Sequence, residues 1–211
     1  MKSKKRLLRG SRLYVIIDKK ACTARSPAVT VKEAADSGAD LVQLRDKESA
    51  RGSVLRAAYA IRKELSGKKT IFIVNDYLDI AKISDADGVH LGQDDHSVGI
   101  ARRILGKDKI IGISCRSVAQ AKSAQKQGAD YIGVGPIFRS ITKPALHPKG
   151  LGLIRRIRKS VEIPFFVLGG LNEDNLACVR AYGADRIAVC SAVCGGKDVS
   201  LSTKELSNLL H

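Results

Sequence analysis

The chain has 211 residues, of which 44% are apolar and 27% charged, with a formal net charge of +16 at pH 7. These values predict a globular domain with a sizeable core and argue against a largely disordered chain. No apolar run approaches the roughly 20 residues that span a bilayer, and the basic start has too short an apolar centre for a secretory signal. We therefore expect a cytoplasmic protein with reduced cysteines.

Eight short apolar segments recur along the chain and predict strands. In chain order they are residues 13–17, 41–44, 70–74, 88–91, 109–113, 131–134, 165–168 and 186–189. Between them, apolar residues recur at helical spacing, as in Val54, Ala58, Ile61 and Leu65. Strands that are apolar nearly throughout and alternate with helices indicate a parallel sheet covered by helices.

A Gly-Ala-Asp triplet closes a predicted helix and opens a predicted strand at residues 38–40, 128–130 and 183–185. Residues 85–88, Asp-Ala-Asp-Gly, are a near relative. Eight such βα units predict a single (β/α)8 TIM barrel, an α/β fold, over residues 1–211, with residues 1–11 as a basic N-terminal extension. The alternative, a doubly wound open sheet, would need a Gly-rich turn after the first strand, which the sequence lacks there.

Polar residues follow the predicted strands at the end that carries the active site in such barrels. Gln43, Arg45 and Lys47 alternate along an extended segment, so their side chains are expected to project from one face. An amide, a guanidinium and an ammonium together suit a multiply charged oxyanion such as a diphosphate. The alternative is a strand-end salt bridge of Arg45 or Lys47 with Asp46 or Glu48.

Asp76 and Asp95 each follow one of two neighbouring predicted strands, so both can face a common point. Mg²⁺ takes one or two carboxylates, with phosphate oxygens and waters completing its shell. The alternative is that each aspartate is a helix N-cap. Because both lie beside a predicted anion site, the metal-ligand interpretation is favoured.

A second anion site is indicated after the later strands. Residues 140–143, Ser-Ile-Thr-Lys, lie in a long loop and offer two hydroxyls and an ammonium. Residues 169–170, Gly-Gly, and 190–191, Cys-Ser, follow strands seven and eight, where barrels commonly hold a monophosphate. Two anion sites facing one cavity suggest an enzyme that joins two phosphorylated molecules with loss of pyrophosphate.

These motifs, taken in order from residue 13 to residue 193, resemble the thiamine phosphate synthase family. The motifs are Gln43-x-Arg45-x-Lys47, Asn75-Asp76, Val-His-Leu-Gly-Gln-x-Asp at 89–95, Gly-x-Ser at 112–114, Gly-x-Gly-Pro-x-Phe at 133–138, Thr-Lys at 142–143, Gly-Gly at 169–170 and Ser-Ala-Val at 191–193. The resemblance implies condensation of hydroxymethylpyrimidine diphosphate with thiazole phosphate to thiamine monophosphate, without a protein nucleophile. Accordingly, Cys115 is not favoured as one.

The resemblance also implies a role for each matching residue. The pyrimidine diphosphate is implied to bind Gln43, Leu44, Arg45, Asp46, Lys47, Asn75, Ser114 and Lys143, of which Arg45, Lys47, Ser114 and Lys143 act in catalysis. The thiazole phosphate is implied to bind Ser140, Ile141, Thr142, Gly170, Cys190 and Ser191. Mg²⁺ is implied to bind Asp76 and Asp95. The chain departs from the family pattern at Ser140 (usually Thr), Arg139 (often Pro) and Arg116 (commonly His), and Arg116 is expected to add a cation near the diphosphate.

Other functions fit parts of the sequence. A related barrel that tautomerises thiazole phosphate shares the fold but lacks the metal carboxylates, and the fold alone also permits a phosphosugar isomerase. The charge of +16 suits a nucleic-acid-binding protein, although few aromatic residues accompany it. We expect small-molecule substrates, no nucleic-acid or membrane partner, and leave open a homo-oligomer.

Overall fold

The computed structural model describes residues 4–22, 25–140, 142 and 144–210. Eight parallel strands pair in chain order, and the last pairs with the first to close a barrel. The strands are β1 (Leu13–Asp18), β2 (Leu41–Arg45), β3 (Ile71–Asn75), β4 (Gly88–Leu91), β5 (Ile110–Cys115), β6 (Tyr131–Val134), β7 (Phe165–Leu168) and β8 (Ile187–Val189). The predicted TIM barrel is confirmed.

Helices lie between successive strands, before the first strand and after the last. In the described part of the chain they are α1 (Lys4–Gly10), α2 (Pro27–Asp36), α3 (Arg51–Glu64), α4 (Leu78–Ile83), α5 (Val98–Leu105), α6 (Val118–Lys126), α7 (Gly152–Arg158), α8 (Glu173–Ala181), α9 (Ser191–Cys194) and α10 (Val199–Leu210). None of these helices has the length and apolar character needed to cross a bilayer.

The strands separate two apolar layers, because successive side chains point to opposite faces. One layer packs between the sheet and the helices and includes Val15, Val42 and Leu44. The other fills the barrel interior and is formed by Leu8, Tyr14, Leu41, Ile71, Ile73, Ile110, Tyr131, Phe166 and Ala188. Near the carboxyl end of each strand, the last inward-pointing side chain therefore lies at the rim of the barrel.

Helix α1 lies across the amino-terminal ends of the strands. Leu8 is 2% exposed and belongs to the interior layer. Lys4 Nζ donates to the carbonyl oxygen of Thr70 at 2.8 Å, and Lys5 forms a 2.8 Å ion pair with Asp130. The division of the chain into a barrel and a basic extension, residues 1–11, stays a prediction. The described part of that segment closes the barrel floor.

The repeated Gly-Ala-Asp triplet has a structural basis. Gly38, Gly128 and Gly183 have φ values of 106°, 85° and 96°, in the left-handed region where a helix often ends. Asp85 takes the same role in the variant triplet, with a φ of 53°. The aspartates Asp40, Asp87 and Asp130, which close three of these segments, each accept from the backbone amide of a neighbouring strand. The motif therefore sets where these strands begin.

Candidate active site

A cleft opens at the carboxyl ends of the strands. The space within it measures about 730 Å³, a figure that includes open solvent. Its lining includes Gln43, Arg45, Asn75, Ser114, Ser140, Thr142, Gly170, Cys190 and Ser191, so residues of both predicted anion sites meet in one cavity. Asp18 and His90 also line it. Sequence reasoning did not assign these two residues to the site.

Arg45 is held in the cleft by an aspartate from the adjacent strand. Asp18 and Arg45 are paired in the β1–β2 register, and Arg45 Nη1 donates to Asp18 Oδ2. Their side chains are 4% and 15% exposed, respectively. Because the partner is Asp18, the alternative of a local salt bridge from Arg45 to Asp46 or Glu48 is wrong. The position of Asp18 at the end of β1 was a signal that it could reach the cleft, but its pairing with Arg45 follows from the register.

Lys47 lies just past β2 and reaches the neighbouring strand. Its Nζ forms a 2.7 Å ion pair with Asp76 Oδ2, while half of the Lys47 side chain stays exposed. Asp46 does not face the cleft: its Oδ1 accepts from the Ser49 amide at 2.9 Å. Leu44 points to the outer layer and is 2% exposed. Any contribution of Leu44 and Asp46 to binding therefore has to come from their backbone.

Asp76 and Asp95 converge at the mouth of the barrel, beside the cleft. The alternative that they cap helices is wrong, since Tyr77 is the N-cap of α4 and Ser97 the N-cap of α5. Instead, their carboxyl groups lie close enough for each to shift the pKa of the other. Asp76 has a φ of 62°, an uncommon conformation for a residue other than glycine. This backbone turn aims the Asp76 carboxyl group back towards Lys47 and Asp95.

The two carboxyl groups differ in proton affinity. Partial burial raises the pKa of Asp76 above its usual value, and Asp95 adds to the rise, while Lys47 opposes it. Burial also acts to raise the pKa of Asp95, but hydrogen bonds from Gly92 and Asp76 and the charge of Lys47 outweigh it, so that this pKa is lowered. Two like charges at close range favour a shared proton or a bound cation.

The donor set of this pair fits a hard divalent cation. Both ligands are carboxylate oxygens, as Mg²⁺ prefers. Within the described ranges, no group of three or more His, Cys, Asp and Glu side chains is placed to hold a metal ion. Two carboxylates with no third protein ligand suit Mg²⁺, which usually keeps waters and substrate phosphate oxygens in its shell.

The loop between β6 and α7 forms the opposite wall of the cleft. Ser140 is 8% exposed, and its Oγ lies 3.0 Å from Thr142 Oγ1. The loop packs on Gly170, where a Cβ atom would come within 2.4 Å of the Arg139 carbonyl oxygen. A glycine is therefore needed at position 170 for this close approach. Ile141 and Lys143, which were predicted to bind the two substrates, lie outside the described residues.

The thiols offer no nucleophile in the cleft apart from Cys190, which lines it. Cys115 lies in the outer layer, and burial raises the pKa of its thiol to about 12. Cys178 is exposed. In the native protein at neutral pH, we expect Cys115 to react with an aromatic disulfide at least about 100-fold more slowly than Cys178, because the thiolate is the reactive form.

Peptide mapping of the labelled native protein measures the difference. The Cys178→Ser variant is the control and should lose the fast phase. Rapid labelling of Cys115 in that variant would contradict its burial.

Comparison with known proteins identifies the family to which this chain belongs. Residues 13–193 match the family model for thiamine monophosphate synthase. The chain is 42% identical over 200 residues to the thiamine-phosphate synthase of Chloroflexus aurantiacus, covering 94% of this chain and 92% of the relative. It is 38% identical over 198 residues to that of Syntrophomonas wolfei, covering 93% and 95%. The chain belongs to the thiamine monophosphate synthase family.

A solved structure agrees with this membership. The thiamine phosphate pyrophosphorylase from Pyrococcus furiosus superposes with a TM-score of 0.87 at 35% identity, over 98% of this chain and 96% of that chain. As a member of the thiamine monophosphate synthase family, the chain is a transferase of thiamine biosynthesis. The tautomerase-like and nucleic-acid-binding alternatives are not favoured.

One departure from the family pattern lies away from the cleft. Arg116 was expected to add a cation near the diphosphate. Its side chain instead lines a separate groove with Lys149 and Arg156. This expectation is therefore corrected, because Arg116 follows the outward-facing Cys115 and turns towards the start of α6. A second departure, Ser140, does lie in the cleft, and it retains the hydroxyl group of the usual threonine.

Proposed function

We propose that the cleft condenses 4-amino-2-methyl-5-hydroxymethylpyrimidine diphosphate with thiazole phosphate, giving thiamine monophosphate and pyrophosphate. The observation that carries this proposal is the meeting of two sets of anion-binding groups in a single cavity. One set, from β2 to β5, lies beside a carboxylate pair. The other comes from the β6–α7 loop and the ends of β7 and β8. Family membership supports the same reaction.

The pyrimidine diphosphate would bind along β2 to β5. Arg45, oriented by Asp18, offers a guanidinium fork to the diphosphate, and Lys47 adds a mobile ammonium beside it. Gln43, Asn75 and Ser114 line the same wall and offer uncharged donors and acceptors. Lys143 is proposed as a further cation for this substrate, in line with the family pattern.

Asp76 and Asp95 would hold Mg²⁺. The ion, when bound, supplies positive charge that stabilises the diphosphate as it leaves. The Lys47 ammonium pairs with Asp76 across 2.7 Å. If Asp76 and Asp95 held the cation, the ammonium would be free to turn to the substrate. The half-exposed Lys47 side chain permits that movement.

The thiazole phosphate would bind on the opposite wall. The hydroxyls of Ser140, Thr142 and Ser191 and the thiol of Cys190 are the polar side-chain groups available there. Gly170 allows the loop to approach closely, and Ile141 is proposed to contribute through the same loop. This placement leaves the thiazole ring between its own phosphate site and the pyrimidine.

The reaction then needs charge stabilisation and orientation. The bond between the pyrimidine methylene carbon and the diphosphate oxygen breaks, and its electron pair leaves with pyrophosphate. The thiazole nitrogen donates its lone pair to the resulting cation and forms the new C–N bond. Arg45, Lys47 and Lys143 stabilise the leaving group. Ser114 is placed at the pyrimidine wall to donate a hydrogen bond in the same step.

Incubation with both substrates and Mg²⁺ tests the proposal. Thiamine monophosphate and pyrophosphate should form in equal amounts, and omission of either substrate or addition of a chelator should stop both. Salt-dependent binding to duplex DNA is the parallel measurement. Tight duplex binding without turnover would reverse the order of the two functions. The cytoplasmic location and any homo-oligomer stay predictions.

The variant Lys47→Ala should raise the KM for pyrimidine diphosphate by about 10- to 100-fold and leave that for thiazole phosphate within about 2-fold, since a charge-assisted contact is lost on one wall only. Steady-state kinetics with each substrate varied in turn measures both constants. Lys126→Ala is the control, because Lys126 is exposed in the last turn of α6 and lines neither the cleft nor the groove that contains Asp76 and Asp95. Equal losses for the two substrates would contradict separate sites.

A further inference from the structure

A chain of side-chain hydrogen bonds crosses the barrel interior below the cleft. Gln43 Nε2 donates to Tyr14 Oη, and the hydroxyl oxygens of Tyr14 and Tyr131 are 2.9 Å apart. Tyr131 Oη lies 3.0 Å from His90 Nδ1, and His90 Nε2 lies 2.9 Å from Ser114 Oγ. The first and last members line the cleft. This hydrogen-bond chain therefore connects Gln43 and Ser114, two predicted substrate-binding residues on separate strands, through the core.

Small and aromatic residues around the hydrogen-bond chain leave space for it and hold it in place. A Cβ atom at Gly112 would lie 2.1 Å from Tyr131 Cζ, so only glycine leaves space for that ring. Tyr131 in turn packs edge-to-face on Tyr14 and Phe166, with ring centroids 5.9 and 5.6 Å away. Dense aromatic packing holds both hydroxyl groups in place, as expected in a close-packed interior.

The chain has a direction that follows from proton counting. A hydroxyl group has one proton and can donate only once. Because the Gln43 amide donates to Tyr14, Tyr14 donates to Tyr131, and Tyr131 donates to His90 Nδ1. The proton of His90 is then on Nε2 and is donated to Ser114 Oγ. Ser114 keeps its own proton for a partner in the cleft.

The hydroxyl groups of Tyr14 and Tyr131 stay protonated at neutral pH. Tyr14 is 2% exposed and Tyr131 0%. Burial raises the pKa of Tyr14 and of Tyr131 well above the usual value. Each ring therefore always supplies a proton to the chain. A reversal is possible only if the Gln43 carboxamide turns over and every member reverses with it.

We propose that Tyr14, Tyr131 and His90 are positioning residues that couple the orientation of the Gln43 carboxamide to that of the Ser114 hydroxyl. In the inferred direction the cleft receives an acceptor, Gln43 Oε1, and a donor, Ser114 Oγ–H. This inference rests on the proposed function, whose aminopyrimidine offers an amino donor and whose diphosphate offers acceptors. The reversed chain would place a carboxamide NH₂ against the amino group and reject the substrate.

The tautomer of His90 reports the direction without any need for activity. In the full chain labelled with ¹⁵N-histidine, and with the signals assigned through His90→Gln, the neutral Nε2–H form should be present at pH 7. In Tyr131→Phe, the Nδ1 signal should shift, because Nδ1 loses its hydrogen bond with the Tyr131 hydroxyl. In Tyr14→Phe, the preference for the Nε2–H form should weaken, because no donor then fixes the direction of the Tyr131 hydroxyl. An Nδ1–H or doubly protonated ring in the wild type would overturn the inference.

Kinetics separates positioning from packing. Tyr131→Phe and Tyr14→Phe should each raise the KM for pyrimidine diphosphate by about 10-fold, the scale of one misaligned hydrogen bond, and leave that for thiazole phosphate within about 2-fold. Tyr182→Phe is the control, since its ring lies under Arg155 outside the cleft. In Tyr131→Phe and Tyr14→Phe, equal changes in KM for both substrates, or no change in either KM, would overturn the proposed role.

The two proposals fail in distinguishable ways. A wild-type protein that forms no thiamine monophosphate but has the Nε2–H tautomer would reject the proposed function and leave the hydrogen-bond direction standing. Normal turnover with the opposite tautomer would reject only the coupling. Should one tyrosine variant fail to fold, as judged by thermal unfolding, the other variant still breaks the chain at a different link.

Discussion

The variant Asp76→Asn is expected to lower kcat by about 100- to 1,000-fold, the range for losing a principal charge-stabilising group, and to abolish the response to added Mg²⁺. The amide keeps the size of the carboxyl group and tolerates the positive φ of 62° at this position. The fold should therefore survive, and thermal unfolding should change little. Steady-state turnover across a Mg²⁺ titration measures the effect.

Asp79→Asn is the matched control for this experiment. Asp79 lies in the groove next to Asp76, but its carboxylate is half exposed and pairs with Arg51 at 2.6 Å. Exposed pairs of this kind contribute little, so both turnover and Mg²⁺ dependence should match the wild type. Turnover near the wild-type level in Asp76→Asn would reject the assignment of Asp76 as a metal ligand.

The second large effect is expected for Arg45→Met, which should lower the free energy of unfolding by about 3 kcal/mol, because it leaves the buried Asp18 carboxylate without its charged partner. It should also lower kcat/KM for pyrimidine diphosphate by about 100-fold, through loss of a bidentate anion ligand. Urea unfolding and steady-state kinetics measure the two effects separately.

A double variant separates stability from function. Arg45→Met combined with Asp18→Leu replaces the ion pair with apolar side chains, a change that is often neutral for stability. We expect the double variant to regain most of the lost stability while turnover stays low. Wild-type kinetics in the stable double variant would show that Arg45 has only a structural role.

Much of the fold could be read from local patterns. The eight predicted strands occur at the predicted places, with ends that differ by at most two residues. The Gly-Ala-Asp triplets mark real helix ends, because the left-handed backbone there favours a small residue. In residues 85–88, the near relative of the triplet, the aspartate Asp85 takes the left-handed conformation in place of a glycine. These features depend on neighbours in the chain and are therefore visible in it.

Many of the polar residues of the cleft were predicted for a similar reason, although Asp18 and His90 were not. Barrel topology brings every strand's carboxyl end to one rim, so polar residues after the strands had to assemble there. Which side chains face inward depended on the true strand limits. Leu44 and Asp46 fall on the wrong face or past the strand, while Gln43 and Arg45 face the cleft.

Side-chain partners from distant segments could not be derived in this way. The Asp18–Arg45 pair depends on the register of β1 with β2, and the Asp76–Asp95 pair on the turn that gives Asp76 a positive φ. The Tyr14–Tyr131 contact joins residues 117 positions apart. Composition and periodicity report which face a side chain occupies, whereas a hydrogen bond needs two atoms within about 3 Å. That distance is set by the packing of the closed barrel.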